Sequence, residues 1–246
     1  MISHISGPNG DDKWHFLDND LHRNIEQQFK STNFSSISYQ GYQIAAWMKS
    51  LLAINDMGNK DYIDIGTNYG NFVLPLSNLF NEVHCFEIDS DLREALKLNA
   101  EQKDNIVIYD CGLGSSEAEV RFHYHRPTGT SHVCDVEYMT EENDRCRWHQ
   151  HHKFGYEKIK TLDSFNFNNV GFIKIDVEGY EIEVLKGSIN TIEKNRPVFW
   201  IEFNPKRSMD QVEIDRRNMF KMFNDLDYYV FDVRRLDVCF IPREYS

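Results

Sequence analysis

The stretch Asp61–Gly70, DYIDIGTNYG, is the feature that most constrains how this chain can fold. Its apolar run ends at Gly66, which predicts a short buried strand of a parallel sheet followed by a tight turn. A helix is expected directly afterwards, over Asn71–Phe80. A strand, a glycine-rich turn and a helix N-terminus together direct backbone N–H groups towards a ligand. The glycine spacing is G-x-x-x-G, which differs from the G-x-G-x-x-G of dinucleotide sites.

Acidic residues end the next two predicted strands. Glu82–Glu87 is the first, and Glu87 follows Gly66 by about 20 residues, the distance at which an acidic side chain reaches ribose hydroxyls in nucleotide-binding βαβ units. Ile106–Tyr109 is the second, and Asp110 follows it. Small or acidic residues at three strand ends predict a nucleoside crevice at the carboxyl edge of the sheet.

Six sequence blocks resemble the FkbM family of S-adenosyl-L-methionine (SAM)-dependent methyltransferases. In chain order they are DIGTNYG, CFEIDSDL, CGLGS, KTLDSF, FIKIDVEGYEIEVLKG and PVFWIEFNP, from about Asp61 to Pro205. The IKIDVEGYE block with VLKG downstream is highly specific. The resemblance implies a class I methyltransferase fold, which is a Rossmann-like α/β fold, and most often O-methylation.

The expected architecture has two parts. Residues 1–56 should form a helical extension that packs on the sheet, because apolar residues recur there at helical spacing after an irregular segment over residues 1–16. Residues 57–246 should form the methyltransferase domain, a seven-stranded, mostly parallel sheet with helices on both faces. A C-terminal hairpin over Tyr228–Val233 and Leu236–Ile241 would supply its antiparallel edge.

Composition bears on partners and location. The net charge of −12 and the pI of about 5.3 disfavour nucleic acid as a substrate, because an acidic surface repels phosphates. No apolar run reaches the roughly 18 residues of a membrane helix, and no signal peptide opens the chain, so no membrane association is expected. Five cysteines at irregular spacing indicate reduced thiols and a cytoplasmic location.

A polar segment from about His125 to Gly155 is rich in histidine and interrupts the strand pattern. We expect an inserted loop that covers the substrate, since loops of this length in compact domains are usually functional or disordered. A zinc site is the alternative, because Cys146-x-x-His149 has ligand-like spacing, but no second close pair completes it. Tyr156–Lys160 should follow as an edge strand.

Charged residues mark the end of the strand within FIKIDVEG. Lys174, Asp176 and Glu178 alternate onto one side of it, and Glu202 ends the next strand, VFWIEF. Neighbouring strands would bring these residues together beside the cofactor. They form either a substrate site or an ion-pair network that fixes the strand ends, because buried charges need partners.

The expected catalytic residues are Asp176, Glu178 and Glu202. A sulfonium methyl group is already activated, so the enzyme mainly aligns an acceptor oxygen with it, and an alcohol acceptor also loses a proton. Asp176 is the first candidate base, and His132 or His149 is the second. Asp176 and Glu178 could instead hold Mg²⁺, although metal-free catalysis is favoured.

The cofactor should be SAM, held at the three strand ends by Asp64, Gly66, Asn68, Tyr69, Gly70, Glu87, Ile88, Asp110 and Cys111, with Asp110 near the adenine. The acceptor should be a hydroxyl of a small molecule or a glycan. An NAD-dependent oxidoreductase shares the strand, the turn and the acidic residue, but the G-x-x-x-G spacing and the IKIDVEGYE block oppose it. A non-catalytic nucleotide-binding module of the same fold is a further alternative.

Overall fold

A computed structural model describes residues 2–6, 13–17, 59–124, 131–134, 153–203, 209–232 and 236–245. The strands are β1 (Ile2–Ser6), β2 (Lys13–Leu17), β3 (Asp61–Ile65), β4 (Val83–Phe86), β5 (Ile106–Tyr109), β6 (Gly112–Leu113), β7 (Ala118–Tyr124), β8 (His132–Val133), β9 (Lys153–Lys160), β10 (Val170–Ile175), β11 (Val198–Glu202), β12 (Tyr228–Asp232) and β13 (Asp237–Pro242). The α-helices are α1 (Val73–Leu76), α2 (Ser90–Asn99), α3 (Glu181–Lys186), α4 (Ile189–Asn195) and α5 (Met209–Asp225). Short 3₁₀ turns cover Ser77–Leu79, Leu162–Phe165 and Arg243–Tyr245.

The main sheet has seven strands among the described residues, in the order β12-β13-β11-β10-β3-β4-β5. The pairs from β11 to β5 are parallel, and β13 pairs antiparallel with both β11 and β12. The predicted class I methyltransferase sheet with an antiparallel C-terminal hairpin is therefore confirmed.

Side-chain alternation along the central strands builds two apolar layers. Ile63 and Ile173 point to the face that packs against α3, α4 and α5, whereas Tyr62 and Phe172 point to the face that packs against α1 and α2. Burial of one such side chain stabilises the fold by about 1.5–3 kcal/mol. The alternation predicted for the strand within FIKIDVEG is confirmed as far as Ile175, where β10 ends, whereas Glu178 lies beyond the strand in a turn. The prediction of helices on both faces is confirmed.

A second sheet of four strands, in the order β6-β9-β7-β8, lies beside the main one. The strand predicted over Tyr156–Lys160 is confirmed as part of β9, but β9 begins at Lys153 and lies between β6 and β7, so its predicted edge position is wrong. Gly155, the last residue of the predicted loop, lies within this strand, where a Cβ atom would lie 2.9 Å from the Tyr124 ring, so glycine makes room for that ring.

The predicted loop over residues 125–155 is therefore wrong where β8 and the start of β9 occupy it. Residues 125–130 and 135–152 of that segment, which include Cys146 and His149, lie outside the described residues.

At the N-terminus, β1 and β2 form an antiparallel pair from Ile2 opposite Leu17 to Ser6 opposite Lys13. The prediction that residues 1–16 are irregular is wrong for these strands. Gly7, Pro8 and Gly10 punctuate two short strands in the sequence, which is the pattern of a hairpin. The helices predicted for the remainder of residues 1–56 lie outside the described residues.

Candidate active site

The turn after β3 brings the ends of two neighbouring strands into contact. Gly66 has a φ of +82°, and a Cβ atom there would lie 1.9 Å from the backbone oxygen of Asp176. The N–H of Asp176 donates to the carbonyl of Ile65 at 2.9 Å. Only glycine combines this conformation with so close an approach, so the first glycine of the motif joins the ends of β3 and β10.

Glu87 ties the end of β4 to the same turn. Its Oε2 accepts from the N–H of Asn68 at 2.7 Å, and its Oε1 accepts from the N–H of Asp89 at 2.9 Å. Asn68 has a φ of 55°, the left-handed conformation that asparagine tolerates better than most residues. Burial raises the pKa of Glu87 to about 7 even though the two N–H groups lower it. Glu87 therefore lies close to its midpoint of protonation at neutral pH.

Lys174 provides a buried positive charge beneath this edge. Its Nζ lies 3.3 Å from Asp176 Oδ2 and 3.8 Å from Asp64 Oδ1, and 4.3 Å from the centre of the Phe72 ring. Burial alone would lower the pKa of Lys174, but the carboxylates of Asp176, Asp64 and Glu202 raise it overall. Burial raises the pKa of Asp64, whose Oδ2 accepts from the hydroxyl of Tyr62 at 2.8 Å. Lys174 is thus the counter-ion of a buried acidic cluster.

Glu202 ends β11 next to this cluster. Burial, followed by the negative charge of Asp176, raises the pKa of Glu202 to about 7, although Lys174 lowers it. Glu178 contributes further negative charge from the turn after β10. The ends of β10 and β11 therefore carry three carboxyl groups, of which those of Asp176 and Glu202 interact electrostatically with Lys174.

These strand ends form the floor of a cavity of about 240 Å³. The second sheet covers it, through Phe122 of β7, Val133 of β8, Ile159 of β9 and the adjacent Ser131. The floor is acidic and the cover is mainly apolar. The cavity lies at the carboxyl edge of a parallel sheet, where open α/β folds bind ligands.

The chain matches the model of the Methyltransferase FkbM domain over residues 64–234. It belongs to the FkbM methyltransferase family. The resemblance noted in the six sequence blocks is confirmed, and the matched range takes in the turn, the acidic strand ends and the second sheet. None of the helices within the described residues of this FkbM protein is long and apolar enough to cross a membrane.

Several solved structures are similar to this FkbM domain in fold. The crystal structure of Methyltransferase FkbM from Methylobacillus flagellatus KT is 19% identical with a TM-score of 0.50, covering 74% of this chain and 43% of that chain. At this identity the likeness shows the fold, and the chain spans less than half of that protein. A protein from Klebsiella pneumoniae assigned as an O-methyltransferase is 11% identical with a TM-score of 0.49, covering 92% of this chain and 91% of that one. A Streptococcus mutans protein assigned as a methyltransferase, in complex with S-adenosylhomocysteine (SAH), is 11% identical with a TM-score of 0.46. The match covers 79% of this chain and 94% of that one. No curated protein matches the sequence.

Most of the residues predicted for the site of this FkbM domain face the cavity. They are Gly66, Asn68, Glu87, Ile88, Asp176, Glu178 and Glu202. The other five predicted residues do not line it: Asp64, Tyr69, Gly70, Asp110 and Cys111. Three of them, Asp64, Tyr69 and Cys111, are buried in the protein interior, Gly70 packs on Leu96, and Asp110 is exposed.

Tyr180 and the covering residues Phe122, Ser131 and Val133 line the cavity but were not predicted. Tyr180 lies within the specific IKIDVEGYE block, which was the one signal available for it. Ser131 and Val133 could not be found because their segment was taken for a loop, whereas Phe122 lies just before that segment, in β7.

His132, one of the two second-choice bases, lies between the lining residues Ser131 and Val133, and its ring contacts that of His123 at 5.0 Å between centroids. It is not among the lining residues. Within the part of the chain that the structure describes, no group of three or more histidine, cysteine or acidic side chains is arranged to hold a metal ion.

Proposed function

We propose that this FkbM domain transfers a methyl group from SAM, bound in the cavity at the carboxyl edge, to a hydroxyl of a small molecule or a glycan. The observation that carries the proposal is the position of Glu87. It ends the second parallel strand of the unit, lines the cavity and lies beside the turn at Gly66. An acidic residue in this place is suited to bind ribose hydroxyls.

The chemistry of the lining fits the proposed cofactor. Glu87 can accept hydrogen bonds from a ribose, and the apolar side chains of Ile88, Leu92 and Leu113 can enclose an adenine. SAM supplies an activated methyl group on a sulfonium cation. The carboxyl groups of Asp176 and Glu202 give their end of the cavity a negative potential that favours a cation.

We expect the acceptor to bind at the acidic floor of the cavity. Asp176 lines the cavity with a side chain that is 23% exposed, and Lys174 holds its Oδ2 at 3.3 Å. A carboxylate fixed in this way can accept a hydrogen bond from the acceptor hydroxyl and take up its proton. Glu202, with a pKa of about 7, is a second group that can hold this proton near neutral pH. Because the net charge is −12, we expect an acceptor other than nucleic acid.

A ligand panel tests the choice of cofactor. Thermal unfolding in the presence of S-adenosylhomocysteine (SAH) should raise the melting temperature, and NAD at the same concentration should leave it unchanged, because a ligand that binds the folded state stabilises it. Stabilisation by NAD alone would support the oxidoreductase alternative. Binding of SAH without transfer to any hydroxylated acceptor would support a non-catalytic module.

The role of Asp176 is tested by Asp176→Asn, which keeps the size and hydrogen bonding of the side chain but removes its basicity. Transfer from radiolabelled SAM to a panel of hydroxylated small molecules and glycans should fall by about 10²–10⁴-fold, the usual effect of losing a general base. The affinity for SAH should stay unchanged. Glu101→Gln, at an exposed position after α2, is the control. Normal transfer by Asp176→Asn would reject the base role, and a joint loss of affinity and stability would identify a structural ion pair.

A further inference from the structure

The turn between β10 and α3 has an uncommon backbone. Glu178 has a φ of 59° and Gly179 a φ of 103°, so two consecutive residues take left-handed conformations. A side chain larger than glycine rarely adopts this conformation unless its surroundings hold it there. Glu178 and Tyr180, on either side of Gly179, both line the cavity. The conformation of this turn therefore decides where two of the lining side chains lie.

Glu181 holds the turn from the first residue of α3. Its Oε1 accepts from the N–H of Gly179 at 2.8 Å, and the residue is only 2% exposed. Tyr180, the residue before the helix, makes no side-chain cap. The Glu181 carboxyl thus satisfies a backbone N–H that lies between two residues with cavity-facing side chains.

A second contact fixes the other side of the turn. The Tyr180 ring packs over Gly114, where a Cβ atom would lie 3.1 Å from the ring. The end of α3 rests on the same residue, because a Cβ atom on Gly187 would lie 2.0 Å from the carbonyl oxygen of Gly114. The helix end and the Tyr180 ring therefore both contact Gly114, and the Glu181 hydrogen bond holds the backbone that joins Glu178 to Tyr180.

We propose that Glu181 is a positioning residue of the site, which acts by holding the Gly179 N–H and so fixing Glu178 and Tyr180 against the cavity. This inference rests on the proposed function for its effect on cofactor binding. Glu181 does not line the cavity itself. Its role requires an oxygen that accepts one hydrogen bond, and it does not require a negative charge.

The protonation of Glu181 agrees with this requirement. Burial, together with the smaller effects of the Asp176 and Glu178 charges, raises its pKa to about 8, although the backbone N–H groups lower it. The carboxyl group is therefore largely neutral at pH 7. A glutamine carbonyl should replace it, whereas a methionine of similar size should not.

The test compares Glu181→Gln with Glu181→Met, using Glu183→Ala as the matched control because Glu183 is on the same helix and pairs with Lys186. Amide exchange at Gly179, followed by NMR without ligand, should be about tenfold faster or more in Glu181→Met and unchanged in the other two variants, since one hydrogen bond is lost. The Kd for SAH should rise by about tenfold in Glu181→Met alone. In methyl-transfer assays, kcat should be lower in Glu181→Met than in wild type, and it should equal the wild-type value in Glu181→Gln.

The outcomes separate this inference from the proposed function. If wild-type protein does not bind SAH, the proposed function fails, and Gly179 exchange still tests the hydrogen bond. Equal Gly179 exchange and equal SAH affinity in Glu181→Met and Glu181→Gln would overturn the positioning role, whatever the melting temperatures. If Glu181→Met does not fold, Glu181→Asp takes its place, because a side chain one methylene shorter keeps the acid but withdraws the acceptor from Gly179. Exchange and affinity of Glu181→Asp equal to wild type would then refute the inference.

Discussion

Replacing Lys174 by methionine should destabilise the protein strongly, because it removes the positive charge that compensates the carboxyl groups of Asp64 and Asp176 at the ends of β3 and β10. The Lys174 side chain is 3% exposed and that of Asp64 is 1% exposed, so water cannot replace the ammonium group there. Asp64 Oδ1 has no hydrogen-bond partner among the described residues and faces Lys174 at 3.8 Å. Asp176 is 23% exposed and can be hydrated. Most of the loss should therefore arise at Asp64.

The magnitude follows from these exposures. Removing one partner of a buried ion pair typically costs about 3–5 kcal/mol. Because Asp176 is partly hydrated and Asp64 keeps its bond from Tyr62, we expect about 3 kcal/mol. In a protein of this size that corresponds to roughly 6–12 °C in melting temperature. The deficit should shrink as the pH falls, since burial already raises the pKa of Asp64 and the isolated carboxyl group will take up a proton.

Urea unfolding of three variants measures this effect. Lys97→Met removes an exposed lysine that lies 2.8 Å from Glu94, and should change the free energy of unfolding by only about 0.5 kcal/mol. The double variant Lys174→Met with Asp64→Asn should recover most of the loss, because it removes the uncompensated charge. If Lys174→Met is no more destabilising than Lys97→Met, or if Asp64→Asn does not rescue it, the account of the cluster is wrong.

Two further predictions concern the same edge. Gly66→Ala should lower the free energy of unfolding by roughly 2–5 kcal/mol, from the left-handed backbone and the contact with the Asp176 carbonyl; a urea midpoint equal to wild type would contradict this. Glu202 has a folded-state pKa of about 7, above its ordinary value of 4.5, so its stabilising contribution is present at low pH and lost as pH rises from about 4.5 to 7. In urea unfolding, the free energy of unfolding of Glu202→Gln should therefore increase relative to that of wild type as the pH is raised from about 5 to about 8. If both proteins show the same change with pH, the raised pKa of Glu202 is refuted.

The central strands could be predicted from the sequence because each is a short apolar run bounded by turn residues. Ile106–Tyr109 has the same bounds in the structure. The strand within FIKIDVEG was expected to begin at Phe172, but β10 begins two residues earlier, at Val170. The first helix was predicted over Asn71–Phe80, but α1 is only four residues long and passes into a 3₁₀ turn. Pro75 lacks a backbone N–H and disfavours a longer helix there.

The floor of the candidate site could be predicted because parallel strand ends meet at one edge. Glu87, Asp176 and Glu202 follow from that rule alone. The cover could not, since β8 has only two residues and lies in a segment whose length and polarity indicate a loop. Nor could side-chain direction within turns be predicted, because it depends on backbone angles that the sequence pattern does not specify. Tyr69 accordingly points into the core, although Asn68 beside it lines the cavity.

Calorimetric titration of SAH into wild-type protein and Glu87→Ala tests the central claim most directly. Wild-type protein should bind SAH and not NAD, and Glu87→Ala should weaken SAH binding by roughly 1.5–3 kcal/mol, or about 10–150-fold, the scale for losing a hydrogen bond to a charged group. Glu94→Ala, an exposed position on α2 that pairs with Lys97, should bind as wild type does. Because Glu87 also bonds two backbone N–H groups, the titration is run well below the melting temperature of each variant. No SAH binding by the wild type, or the same SAH affinity in Glu87→Ala, would contradict a SAM site at this edge of the sheet.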